Sequence, residues 1–164
     1  MVNGFILFDF NKESKTDNWT VINDVVMGGR SEADFNINSE GYAVFSGQVS
    51  LENNGGFSSV RYRFESMDVI KYEKVLLKLK GDGKPYQFRI KADLSHAHTY
   101  VKHFQTSGEW ETIEIDFKDM HPQFRGRVLD MPNYTGEKMT EIAFLIANKK
   151  AEAFRLEIDK ISLK

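Results

Sequence analysis

Cysteine is absent from the sequence. That one lack removes disulfide scaffolds, thiolate metal sites and cysteine nucleophiles together, and it accords with a reducing compartment. Proline is scarce: three residues stand against twelve glycines and thirteen phenylalanines, a balance that suits many strands joined by tight turns. Neither sign of charge dominates, since 22 Lys and Arg face 24 Asp and Glu for a formal net charge of -2. No global field would draw the chain onto nucleic acid or an anionic membrane, so neither is expected as a partner. Long apolar runs are also missing. Phe5 to Phe8 is too short for a signal-peptide core or a membrane span, and no basic stretch precedes it. A soluble, cytoplasmic protein without membrane insertion is the resulting expectation.

What is present describes an ordinary globular chain. The 164 residues are 41% hydrophobic and 13% aromatic, enough for one domain over residues 1–164 with a sizeable core. Period-two alternation dominates. Val75, Leu77 and Leu79 share one face, and Gly81-Asp82-Gly83 then ends that strand. Tyr86, Phe88, Ile90 and Ala92 alternate with Gln87, Arg89 and Lys91, and Ile113, Ile115 and Phe117 with Thr112, Glu114 and Asp116. Phe154, Leu156 and Ile158 alternate before the phase slips at Asp159-Lys160, as a β-bulge would make it. Further strands are expected at Phe5–Phe10, Trp19–Ile22, Ala33–Asn38, Tyr42–Leu51, Phe57–Phe64 and His98–Gln105. Met139–Asn148 fits a helix or a buried strand, and Ile142, Phe144 and Ile146 favour the strand. Ser39-Glu40-Gly41 reads as a hairpin turn, Glu52 to Gly56 as a longer one, and His121 to Lys138 as a long irregular connection. No long 3.6-residue period, repeat or low-complexity tract interrupts this pattern. The fold class is all-β, an antiparallel two-sheet β-sandwich, with a closed barrel as the alternative.

Met27-Gly28-Gly29 raises a separate question. Glycine accepts positive φ and close approach, and Asn23 and Asp24 can bond backbone amides two residues on. The plain reading is a tight turn that lets Met27 seal one end of the core, with Gly28, Gly29, Gly55 and Gly56 as structural turn residues.

The run Trp19-Thr20-Val21-Ile22-Asn23-Asp24-Val25-Val26-Met27-Gly28-Gly29-Arg30-Ser31 resembles the signature of the complex I intermediate-associated protein 30 family. The similarity continues through Phe45-Ser46-Gly47, through Leu51 to Arg61 with its Asn53-Asn54-Gly55-Gly56-Phe57 centre, and through Gly81-Asp82-Gly83 with Tyr86. It then takes in Trp110, Pro122-Gln123-Phe124-Arg125-Gly126-Arg127 and Phe154-Arg155-Leu156-Glu157-Ile158. The resemblance implies a galactose-binding-like sandwich of jelly-roll type. It also implies a non-enzymatic role as an assembly factor or chaperone that binds proteins, respiratory complex subunits among them. Glu152-Ala153-Phe154 departs from the Gly-Pro-Phe often seen in the family, and an obvious mitochondrial presequence is lacking.

Candidate site residues follow from strand parity and from the family-like motifs. Ser59, Arg61 and Arg63 should face outward on one strand, and Gln87, Arg89 and Lys91 on another. If the two strands share a sheet, they make a polar, cationic surface whose arginine forks could engage carboxylates or stack beside sugars. The plainer alternative is an ordinary solvated sheet face. Asp24, Arg61, Asp82, Arg89 and Arg125 could form an ion-pair cluster beneath the Asn23–Gly29 loop, with Trp19, Asn23 and Met27 beside it. Trp19 and Trp110 could be sugar platforms, but buried aromatics are the commoner explanation, above all for Trp110 ahead of Ile113 and Ile115. His96, His98, His103 and His121 lack a placed carboxylate, so no metal site is assigned, and Asn53, Asn54 and Asp82 match no defined calcium loop. Glu114 and Asp116 share one outward face, and no Gly-x-Ser-x-Gly turn, Gly-x-Gly-x-x-Gly or P-loop is present. No catalytic residue and no cofactor are expected. A carbohydrate or small ligand remains the partner class beside a protein.

Overall fold

A computed structural model describes residues 4–23 and 29–164. Thirteen strands make up nearly all of its regular structure: β1 Phe5–Asp9, β2 Trp19–Asn23, β3 Glu32–Ile37, β4 Ala43–Val49, β5 Ser58–Asp68, β6 Lys74–Lys80, β7 Pro85–Lys91, β8 Thr99–Gln105, β9 Trp110–Asp116, β10 His121–Phe124, β11 Arg127–Val128, β12 Lys138–Ile146 and β13 Glu152–Leu163. They form two antiparallel sheets. The six-stranded sheet runs β3-β4-β13-β6-β9, with β1 also paired to β13, and the seven-stranded sheet runs β11-β10-β8-β7-β12-β5-β2. The last two strands of the chain, β12 and β13, therefore lie inside the two sheets, flanked on both sides.

The alternation places the core where the sequence pattern puts it. Val75, Leu77 and Leu79 of β6, Phe88 and Ile90 of β7, Ile142, Phe144 and Ile146 of β12, and Leu156 and Ile158 of β13 are fully buried between the sheets. The phase slip is a real bulge, because the β13–β6 register shifts between Ile158 and Lys160. Two boundaries differ from expectation. Strand β5 continues to Asp68, past the polar run Glu65-Ser66, because it pairs with Met139 and Lys138 beyond a second bulge. The expected irregular connection from His121 to Lys138 begins as a hairpin, β10–β11. Arg125 and Gly126 turn it with φ of 51° and 77°, the positive pair that a tight two-residue hairpin needs. Pro122 in β10 hides that strand from a pattern search. In the Glu52–Gly56 turn positive φ falls on Asn53, at 56°, and Gly56, at 138°, whereas Gly55 is extended.

Two side-chain and backbone details fasten the sandwich. Asp82, at the β6–β7 turn, accepts hydrogen bonds from the Tyr86 hydroxyl (2.9 Å), the Lys84 ammonium (3.2 Å) and the Arg155 backbone N–H (2.8 Å). One carboxylate thus ties a strand of each sheet together, and burial with the adjacent negative charge pushes the Tyr86 hydroxyl pKa well up. In β4, Gly47 lies so close to β3 that an added Cβ would meet the Glu32 carbonyl oxygen and stand 2.7 Å from the Ala33 Cα. Gly47→Ala is expected to destabilise by about 3 kcal/mol, because the obstacle is backbone and cannot rotate away. Asp82→Ala should cost about 1–3 kcal/mol by stranding the buried Tyr86 hydroxyl and an N–H of the opposing sheet. Urea unfolding midpoints check both: wild-type midpoints would refute these two accounts.

Candidate functional site

Strand register, not sequence proximity, builds the site. Ala143 of β12 lies opposite Arg61 on one side and Arg89 on the other. The same row continues to Thr20 beyond Arg61 and to Val101 and His121 beyond Arg89. One row along β12, Glu141 faces Arg63 and Lys91, and in the other direction Leu145 faces Ser59 and Gln87. Directly opposed residues project to the same face, so these side chains all stand on the outer face of the seven-stranded sheet. The β5 and β7 arginines thus share a sheet, separated by a single strand whose intervening residue is an alanine.

That face is dished. A depression of about 220 Å³ is lined by Arg61, Arg89, Lys91, Arg125, Gln123 and Glu141, among others. Along its floor Glu141, Ala143 and Leu145 are buried, although no third layer of described residues covers them. Sheet twist and the long side chains of β5 and β7 supply the cover. Four cations line the groove against one carboxylate, Glu141, among the described residues. The carboxylate is engaged: Arg63 Nε donates to its Oε1 at 2.8 Å, and Arg61 Nη1 lies 3.8 Å from the same atom. Arg89 instead donates from Nε and Nη2 to the Gln87 side-chain oxygen, at 3.1 and 2.7 Å. Among the described residues no carboxylate lies within ion-pair distance of it. Burial lowers the Arg89 pKa, with Glu141 only partly offsetting the effect, and burial followed by Arg63 lowers that of Arg61. Both guanidiniums stay charged at neutral pH while lacking much of their hydration.

The imidazoles beyond the groove record the same field. His103 and His121 stack with ring centroids 6.3 Å apart, and both titrate below the usual histidine range. Burial is the main cause, followed by neighbouring positive charge that includes Arg89 and Lys102. At the rim, Arg125 lies 5.2 Å over the Phe124 ring, and Phe124 is 40% exposed. Val128, opposite Gln123 in the hairpin, is 66% exposed.

The structure sorts the residues expected from sequence. Arg61, Arg89 and Arg125 come together at the groove, whereas Asp82 lies in the fastening network of the β6–β7 turn. Trp19 is buried in an aromatic cluster, 5.0 Å from Phe8, 4.7 Å from Phe35 and 5.3 Å from Tyr62 by ring centroids. Asn23 ends β2 opposite Ser58, and Gly29 is buried. Asp24, Met27 and Gly28 lie outside the described residues. Trp110 is a correction: it was expected in the core, yet it is 37% exposed and packs on Tyr42 at 4.5 Å. It starts the edge strand β9, and parity does not say which strand will be an edge. Glu141, Gln123 and Phe124 were missed as site residues. A lone carboxylate within the apolar run Ile142–Ile146 and its flank was the available signal for Glu141.

Comparison with known proteins places this geometry. The family model for complex I intermediate-associated protein 30 matches residues 8–158. Two mitochondrial proteins of that name are similar: one from Drosophila melanogaster is 26% identical over 96% of this chain and 62% of its own length, and one from Mus musculus 25% identical over 96% and 55%. The chain therefore spans little more than half the length of these relatives. Both, and a Caenorhabditis elegans relative, are named as mitochondrial. That corrects the expectation of a cytoplasmic location, which had rested on the lack of a signal-peptide core, a membrane span and cysteine. Among solved structures, a family 11 carbohydrate-binding module from Clostridium thermocellum, in complex with a mixed-linked tetrasaccharide, superposes with a TM-score of 0.71. The match covers 99% of this chain and 96% of the module at 20% identity. An agarase superposes at 0.67 with 12% identity, over 98% of this chain and 24% of the enzyme. Likeness at such identity establishes the fold, a jelly-roll sandwich of the galactose-binding-like kind, and nothing about ligands. Matched over nearly its whole length, the chain belongs to the complex I intermediate-associated protein 30 family.

Proposed function

We propose that this chain is a single, non-catalytic protein-binding domain acting in the assembly of a multisubunit respiratory complex of the complex I kind. One observation carries the reading: among the described residues the seven-stranded sheet has a dished, cationic face with no covering layer, on a family whose relatives are named for complex I intermediates. A sandwich held by two flanked central strands is stiff, so a partner docking on it orders little. The groove also offers poor material for acid–base chemistry. Its one lining carboxylate among the described residues is already engaged by two arginines. A sugar would find one aromatic in the lining, Phe124 at the rim.

The test is made in the native host. A tagged chain should copurify with subunits of the respiratory complex, and its deletion should leave a partial complex that accumulates on native gels. An intact, fully active complex in the deletion strain would overturn the proposal. So would saturable binding of a mixed-linked glucan by the purified chain, lost on Phe124→Ala, in the absence of any copurifying subunit.

A further inference from the structure

Resting on that protein-binding reading, we propose that the groove takes an extended acidic segment of the partner, with carboxylates seated on Arg61 and Arg89 to either side of Ala143. The charge pattern selects this occupant. Arg89 is a largely buried guanidinium whose hydrogen bonds, among the described residues, go to a neutral amide, Gln87. A desolvated cation of that kind gains most from an anion that brings two oxygens in one plane, as a carboxylate does. Arg61 shares its carboxylate with Arg63 at 3.8 Å and so is only partly neutralised.

Spacing argues for a chain rather than a small anion. Arg61 and Arg89 stand two strands apart, roughly 10 Å at ordinary strand separation, which is about three residues of extended peptide. Lys91 lies one row along and Arg125 at the hairpin rim, so a single phosphate would leave most of these cations unmatched. From β2 to β10 the face crosses five strand intervals, roughly 24 Å, the length of about seven extended residues. The exposed Phe124 and Val128 continue the same surface and suit an apolar residue at one end of that segment. Ala143 keeps the floor low enough for a backbone to approach.

The inference is tested on the purified chain with three probes: a peptide of about eight residues carrying glutamate at every second position, so that all its carboxylates share one face, its glutamine counterpart, and inorganic phosphate. The glutamate peptide should bind, and weaken steeply between roughly 50 and 200 mM salt. Neither of the other probes should compete. Arg89→Gln and Arg61→Gln should each lower the affinity by about tenfold while circular dichroism and the unfolding midpoint stay near wild type. Should either variant misfold, Lys91→Gln, at the groove margin, should still weaken binding by about threefold and flatten the salt dependence. Equal binding of the glutamine peptide, phosphate binding as tight as the glutamate peptide, or indifference to all three substitutions would each overturn the inference. The assembly reading fails separately. If complex subunits copurify equally with wild type and with the Arg61→Gln, Arg89→Gln double variant, assembly stands and the acidic segment falls. If the glutamate peptide binds by the arginines but no subunit copurifies, the groove's specificity stands without the assembly role.

Discussion

The rest of the molecule depends on β12 being buried on both faces. Its inward residues, Ile142, Phe144 and Ile146, join the core, and its outward residues Glu141, Ala143 and Leu145 floor the groove. A strand in that position must satisfy two sheets of packing with one backbone, and its neighbours β5 and β7 are fixed in register by it. The arginines are consequently held at a set spacing rather than waving from separate strands. Because β12 and β13 come last in the chain yet lie inside the two sheets, neither sheet can close until the C-terminal region is in place. Such non-local pairing is slow to form and cooperative once formed.

The same strand sets the electrostatic balance of the face. Several cations crowded on a partly dried surface repel one another, and removing them from water is costly. Glu141 offsets part of that cost by accepting from Arg63 and standing near Arg61, and Gln87 offers Arg89 an oxygen without a charge. The arrangement holds the arginines in defined rotamers and stops short of neutralising them. Ala143, between Arg61 and Arg89, keeps the floor low where their side chains rise on either side.

Most of the fold was legible because alternation in a sandwich is a local signal. The inward sets of β6, β7 and β13, the bulge at Asp159–Lys160 and the outward parity of Arg61 and Arg89 all follow from residues read two at a time. Register was not legible. Arg61 meets Ala143 across some eighty positions of chain, and nothing in either segment names the other. Glu141 was missed for that reason, since its role exists only once β5 and β7 flank it. The β10–β11 hairpin was obscured by Pro122 and by its brevity, and Trp110 was misplaced because burial at a sheet edge depends on what does not pair there. Trp19 illustrates the converse. Its family-like motif drew it towards the site, while plain aromatic burial described where it lies.

Net charge describes the surface as a whole and conceals how the charge is distributed. A formal value of -2 argues against attraction to nucleic acid over the whole surface. Yet among the described residues the groove gathers Arg61, Arg89, Lys91 and Arg125 around a single carboxylate, Glu141. On the other sheet acids and cations meet in pairs: Glu114 and Asp116 of β9 flank Lys74, Asp159 lies 3.1 Å from Lys78, and Glu157 of β13 holds Arg155. The imbalance is therefore local to the groove. Beyond a Debye length of about 8 Å at physiological salt, separated charges are largely screened from one another. The field at the groove is therefore set by its own cations and not by the average over the surface.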